Sequence, residues 1–223
     1  MATMAREPLT RSRILECALK LVDEEGVPAL SMRRLGQELG VEAMSLYHHV
    51  PNKQALLEGV VDTVLGEFIV LAPDRGDWAE RVRATARSYR GLAHAHPNAF
   101  PLLLTREFKT PESRRLMEAM VDLCRDAGFR DEEATLDAFC TLGSFVSGFA
   151  LFEIGGFVAF AAGETGAAPQ SVGGRCSPED CPPWAVHGDA QFEFGLDVIL
   201  TGLEARREMP RAPVLAGIAQ APS

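Results

Sequence analysis

Residues Ser31 to Lys53 read SMRRLGQELGVEAMSLYHHVPNK. Ser31 suits a helix N-cap, because its hydroxyl can accept one of the backbone N–H groups that a helix start leaves free. Leu35 and Leu39 follow at helical spacing, and Gly40 supplies a stop. A second short helix, from about Ala43 to His49, begins after only Gly40-Val41-Glu42, and Pro51 breaks the chain behind it. Two short helices across a turn that opens on a glycine predict a helix-turn-helix. Leu35, Leu39, Val41 and Leu46 form its apolar side. They would pack on a preceding helix marked by Ile14, Ala18, Leu21 and Val22 and closed by Gly26. The second helix then presents Ala43, Met44, Ser45, Tyr47 and His48 outward. Such a helix enters the major groove of DNA by its N-terminal end, and short or hydrogen-bonding side chains suit base edges and phosphate oxygens.

Outward from this stretch the pattern stays helical. Asn52 caps a long fourth helix reaching about Leu71, and Asp77 begins another to about His96. Pro97 and Pro101 bracket a short irregular piece. Thr110-Pro111 reads as a cap followed by a first-turn proline, opening a helix to about Asp126. Asp131 caps a strongly apolar helix to about Ile154, and a last helix spans about Ala190 to Arg207. Residues 163–186, rich in Gly, Pro and Ser, read as a long loop. No strand or internal repeat is evident. The expectation is an all-α chain: an N-terminal three-helix helix-turn-helix domain over residues 1–56 and a larger helical ligand-binding and dimerisation domain over 57–207. Residues 208–223 read as a disordered tail.

The chain of 223 residues is 47% hydrophobic, enough for a packed interior. No charge-free apolar run is long enough to span a bilayer, and residues 1–10 lack the apolar core of a secretory signal. A cytoplasmic place with no membrane partner is therefore expected. The net charge of −9 is unevenly spread, residues 1–60 carrying only −1 of it. The positive charges of that segment include Arg6, Arg11, Arg13, Arg33, Arg34 and Lys53, so the acidity leaves room for a local phosphate-binding face. Cys17, Cys124 and Cys140 sit in apolar stretches as small core residues. Cys176, Cys181 and His187 lie in the loop at C-x4-C-x5-H spacing, open to three readings: zinc, a redox bridge, or an inert loop. His48 and His49 are adjacent and point about 100° apart on a helix, which is poor geometry for holding one ion. No nucleophile elbow, Walker loop, zinc-protease helix or dinucleotide fingerprint occurs, so no catalytic residue and no cofactor is expected. His94 and His96 near Glu107 make an imaginable acid–base pair, but lining a pocket or capping a helix end suits them better.

The stretch Leu9 to Leu57, above all LGVEAMSLYHHVPNKQALL, resembles the DNA-binding domain of the TetR family of transcriptional repressors. Asp77-Trp78 through Tyr89-Arg90, Leu123 to Phe129, and Phe192 to Glu204 resemble the tetracycline-responsive branch of that family. The resemblance implies a homodimer that binds a palindromic double-stranded DNA operator and is released by a small-molecule effector. It implies DNA contact by Arg33, Ala43, Ser45, Tyr47, His48, His49 and Lys53. Ala43 and His48 stand where that branch has glutamine and tryptophan, so a different operator sequence is expected. A ligand site is expected among Phe68, Phe100, Thr105, Phe108, Met120, Phe145, Phe149 and Phe152. Leu102 falls where that branch carries a magnesium-ligating histidine, which implies a metal-free, largely apolar ligand. Dimerisation is expected through the helices near 136–154 and 190–207. A dimeric small-molecule-binding protein with weak or no specific DNA binding stays open as the alternative.

Overall fold

The structure, a computed structural model, describes residues 8–68, 76–105, 110–155, 188–207 and 209. Phe108, Glu107, Cys176, Cys181, His187, the end of the link after Phe68 and all but Met209 of the expected tail lie outside the described residues.

Among the described residues every regular element is helical. In chain order they are α1 (Arg11–Glu25), α2 (Met32–Leu39), α3 (Ala43–Tyr47), α4 (Lys53–Gly66), α5 (Trp78–Ala95), α6 (Phe100–Thr105), α7 (Pro111–Arg125), α8 (Glu132–Glu153) and α9 (Gly188–Arg206), with one 3-10 turn at Val27–Ala29. Their starts are set by local chemistry. The side chains of Thr10, Ser31, Asn52, Asp77, Thr110 and Asp131 each accept a backbone N–H from the first turn that follows. Such caps contribute about 1 kcal/mol apiece. The expected cap residues Ser31, Asn52, Asp77, Thr110 and Asp131 are thus in place, and Thr10 adds one the spacing alone did not mark.

Helices α1, α2 and α3 make the head, with α4 packed along α1. The apolar core does not stop at the head. One continuous cluster runs from Ile14 and Leu35 through Leu56, Val60 and Val64 of α4 to Phe100, Leu103 and Ala150. A second cluster joins α5, α7, α8 and α9 through Trp78, Val82, Leu142, Val146, Phe192 and Leu196. Tyr89 packs against both.

Helix α8 has the length and mean hydropathy of a membrane-crossing helix, and it packs on α5, α7 and α9 along part of its surface. What it leaves uncovered, together with α9, is an apolar face: Leu136, Phe194 and Val198 are all more than two-fifths exposed, Phe194 at 70%.

Candidate functional site

The head is built so that α3 is held rigidly while its outer side stays bare. Gly40 closes α2 in the left-handed region (φ 64°), which a side chain would disfavour, and its N–H returns to Gln37 O. The Val41 N–H donates to Gly36 O at 2.9 Å, drawing the turn tight against α2. Gly36 permits that approach, since a Cβ there would stand 2.9 Å from Val41 O and 3.3 Å from Ala43 N. Leu46 is wholly buried and anchors α3 from beneath. The helix ends at Tyr47, two residues short of expectation, because the N–H groups of both His49 and Val50 turn onto Leu46 O ahead of Pro51.

The seven residues expected at DNA lie on α2, on α3 and on the turn from α3 to the first residue of α4. Arg33, Tyr47, His48, His49 and Lys53 are exposed, and Ala43 and Ser45 are half-buried on α3. Met44, at 71% exposure, projects furthest from the same helix. The two neighbouring arginines differ. Arg34 is tied across the head to Glu25 at 2.6 Å and along α2 to Glu38 at 2.8 Å, so it braces the fold. Arg33 has no acidic partner among the described residues, which leaves its guanidinium available to an outside anion.

A cavity of about 300 Å³ lies between α4, α5, α6, α7 and α8. Leu65 and Phe68 close it on the α4 side, Val82, Thr85, Ala86 and Tyr89 on α5, and Leu103 on α6. Leu116, Met120, Leu123 and Cys124 of α7 and Phe139, Leu142, Gly143, Val146 and Ser147 of α8 are among the residues of the opposite wall. No charged side chain lines it among the described residues. Its polar groups are hydroxyls and a thiol. Burial pushes the Tyr89 phenol up, with a hydrogen bond from Ser147 acting the other way. Burial, helped by nearby Cys140, pushes the Cys124 thiol up to about 12, which keeps it protonated and unreactive.

Of the described residues expected at the ligand, the structure brings only Phe68 and Met120 onto this wall. Phe100 is fully buried behind it, edge-on to Tyr89 with ring centroids 5.3 Å apart. Phe145 and Phe149 face away, packed on Phe192 at 5.8 and 5.2 Å. Phe152 is half-exposed, and Thr105 is exposed with its hydroxyl turned back on Pro101 O at 3.2 Å. Tyr89, Thr85 and Ser147 were not anticipated. The Trp78, Val82, Thr85, Ala86, Tyr89 spacing on α5 carries the signal, an inward stripe in which the two polar members look like chance interruptions.

Neither His94 nor His96 reaches the cavity; of the two readings offered, the helix end holds, with His94 in the last turn of α5 and His96 as its C-cap. His94 meets Glu153 at 3.1 Å, and His96 lies between Asp23 and Glu67. Leu102 is also buried away from the wall. A hard cation requires oxygen ligands, most often carboxylates. The described wall offers no carboxylate and no imidazole, so these residues do not fit a magnesium chelate.

Comparison with known proteins agrees with this architecture. Residues 14–60 match the bacterial regulatory proteins of the tetR family, and residues 72–172 match the tetracyclin repressor-like C-terminal domain. The chain is 32% identical over 209 residues to the tetracycline repressor protein class A from transposon 1721 of Escherichia coli, covering 91% of this chain and 94% of that protein. It is 35% identical over 144 residues to the HTH-type transcriptional repressor DrrR1 of Streptomyces coeruleorubidus, covering 64% of this chain and 53% of DrrR1, so it spans about half the length of that relative. The crystal structure of the TetR family protein ActR from Streptomyces coelicolor in complex with actinorhodin superposes with a TM-score of 0.69 at 34% identity, covering 90% of this chain and 99% of ActR.

Proposed function

Because the chain belongs to the TetR family of transcriptional regulators, we propose that it is a homodimeric repressor released from a palindromic operator by a small, uncharged, largely apolar ligand. One observation carries the reading. Helix α4 begins at the exposed Lys53 of the head and brings Leu65, in its last turn, and Phe68, two residues beyond its end, to the wall of the cavity. A 14-residue helix is about 21 Å long, so one rigid rod joins the two sites.

Residues 1–56 act as the DNA-binding head and 57–207 as the ligand-binding and dimerisation part, in the cytoplasm and without catalysis. Arg33, Ala43, Ser45, Tyr47, His48, His49 and Lys53 meet the operator, the exposed Met44 alongside them. The uncovered face of α8 and α9, with Leu136, Phe194 and Val198, pairs with its own copy across a two-fold axis, which removes that apolar surface from water. The two heads then meet half-sites roughly 34–36 Å apart. A ligand in the cavity presses Phe68 directly and Phe100 through Tyr89, tilting α4 and spoiling that spacing. Its effect is bounded by the difference between its affinities for the two states. ActR, similar over most of its length, has been crystallised with actinorhodin. A cavity whose described lining carries hydroxyls but no charge accords with a lipophilic compound carrying one or two hydrogen-bonding groups.

The test begins by selecting bound sequences from random DNA with the purified protein, and a palindrome should be enriched. Tyr47→Ala and Lys53→Ala should then weaken binding to every sequence, while Arg33 and Ser45 substitutions should alter base preference by about 1–3 kcal/mol. Recovery of no sequence would favour the dimeric ligand-binder alternative. An effector found by screening against that palindrome should release the DNA equally well in EDTA. Loss of release in EDTA, restored by magnesium, would overturn the metal-free part of the reading.

A further inference from the structure

His96 sits at the corner where α5 ends and α6 begins, and there it meets the head. Its Nδ1 lies 2.8 Å from Asp23 Oδ2 on the last turn of α1, and its Nε2 lies 3.1 Å from Glu67 Oε2 just past the end of α4. A neutral imidazole carries a single N–H. It can satisfy one of these carboxylates, but it must then turn a bare lone pair toward the other. Only the imidazolium donates to both.

The corner is enclosed on the Asp23 side, with the His96 side chain 11% exposed and Asp23 24%, while Glu67 stands open to solvent at 51%. The other oxygen of Asp23, Oδ1, is buried with no hydrogen-bond partner among the described residues. The Asp23 carboxylate therefore depends on His96 for its compensation. Asn98 adds a proton-independent tie, donating to Asp23 O at 2.9 Å. From α1 the charged groups acting here are Asp23 and, through it, Glu24, and from α4 Glu67. His94, two residues earlier, belongs instead to the pair with Glu153 of α8.

We propose that Asp23, His96 and Glu67 form a proton-gated latch between the head and the ligand-holding body, closed while His96 carries a proton on both ring nitrogens and loosened when it loses one. Burial pulls the His96 imidazole down, but the hydrogen bonds and charges of Asp23 and Glu67 outweigh it and leave it above its ordinary value. A base held above that value contributes while protonated and stops contributing as pH rises through its folded midpoint. Asp23 is pushed up, chiefly by burial, with Glu67 and Glu24 acting the same way against His96. Its charged form is the costly one once the imidazolium is gone, so both groups loosen the joint in the same direction, with rising pH. The latch goes beyond the operator-and-effector reading, since it makes the stiffness of the head on the body a function of proton concentration.

The test uses the full-length protein without DNA or effector, so it stands independently of that reading. Nuclear magnetic resonance of histidine-labelled protein follows each imidazole from about pH 5 to about pH 8. Hydrogen exchange, corrected for intrinsic base catalysis, follows peptides from the last turn of α1 and the end of α4. The His96 midpoint should lie above the ordinary imidazole value and should drop toward it in Glu67→Gln. Protection of both peptides should fall several-fold as His96 deprotonates. In His96→Gln protection should be low and flat with pH, and in Glu67→Gln the transition should move to lower pH. An ordinary His96 midpoint in the wild type, or a transition that survives His96→Gln, would overturn the latch. If His96→Gln proves unfolded, the shift in Glu67→Gln alone decides, because a contact without proton linkage would leave the midpoint where it was.

Discussion

Two aromatic groups stand side by side in the body, one solid and one hollow. Phe145 stacks on Phe192 and Phe149 packs edge-on to it, with Arg90 over the rings, its carbon 4.8 Å from the Phe192 centroid. Arg90 is locked there by two hydrogen bonds of 2.6 Å to Glu153, both side chains largely buried. Phe68, Tyr89 and Phe100 also meet edge to face, at 5.4 and 5.3 Å, but Phe68 and Tyr89 border an open cavity. A solid group resists displacement, whereas a hollow one can be pushed. The first pins α5, α8 and α9 together, and the second leaves the end of α4 able to respond.

The contrast can be broken most forcefully at Phe192, which is fully buried. Phe192→Ala should cost about 3–5 kcal/mol in denaturant unfolding. A loss under about 1 kcal/mol would mean that the solid group is not solid.

A glycine lies in each group, and the pair sharpens the comparison. A Cβ on Gly195 would stand 2.3 Å from the tip of the Phe145 ring, so α9 could no longer sit as close to α8. Gly195→Ala should destabilise by about 1–3 kcal/mol through overpacking. A Cβ on Gly143, which lines the cavity, would meet nothing within 4 Å. Gly143→Ala should therefore gain helix propensity without strain, raising stability by about 0.5–1 kcal/mol. The same thermal melts should move in opposite directions for the two variants. Equal destabilisation by both would show the cavity to be filled.

A pocket was expected from the sequence, but most of its lining was not legible there, although the helices around it were. A cap announces itself locally: Ser31, Asn52, Asp77, Thr110 and Asp131 sit beside the N–H groups they accept, so chain order alone reveals them. The turn of the head was equally readable, because Gly40 and the apolar residues it separates lie within a few positions of one another. A void is a relation among five helices far apart in the chain. Phe68 and Met120 border it and Phe145 and Phe149 do not, but all four look alike as apolar residues at helical spacing. Polar members of an apolar stripe, such as Thr85 and Ser147, are better pointers than aromatics. His96 was legible as a helix end but its partners were not, because they lie 29 and 73 residues away.

Trp78 offers a practical consequence of the way α5 meets α7. Its indole is 7% exposed, and its N–H is fixed on Leu123 O at 2.8 Å. Val82, one turn along α5, and Leu123 itself both border the cavity. An occupant that shifts α5 or α7 must alter the surroundings of that indole, and so the wavelength or intensity at which it emits. The molecule carries its own fluorophore beside the chamber. Compound libraries can be screened on unlabelled protein by light alone, before any operator is known, with Trp184→Phe removing the second tryptophan from the signal.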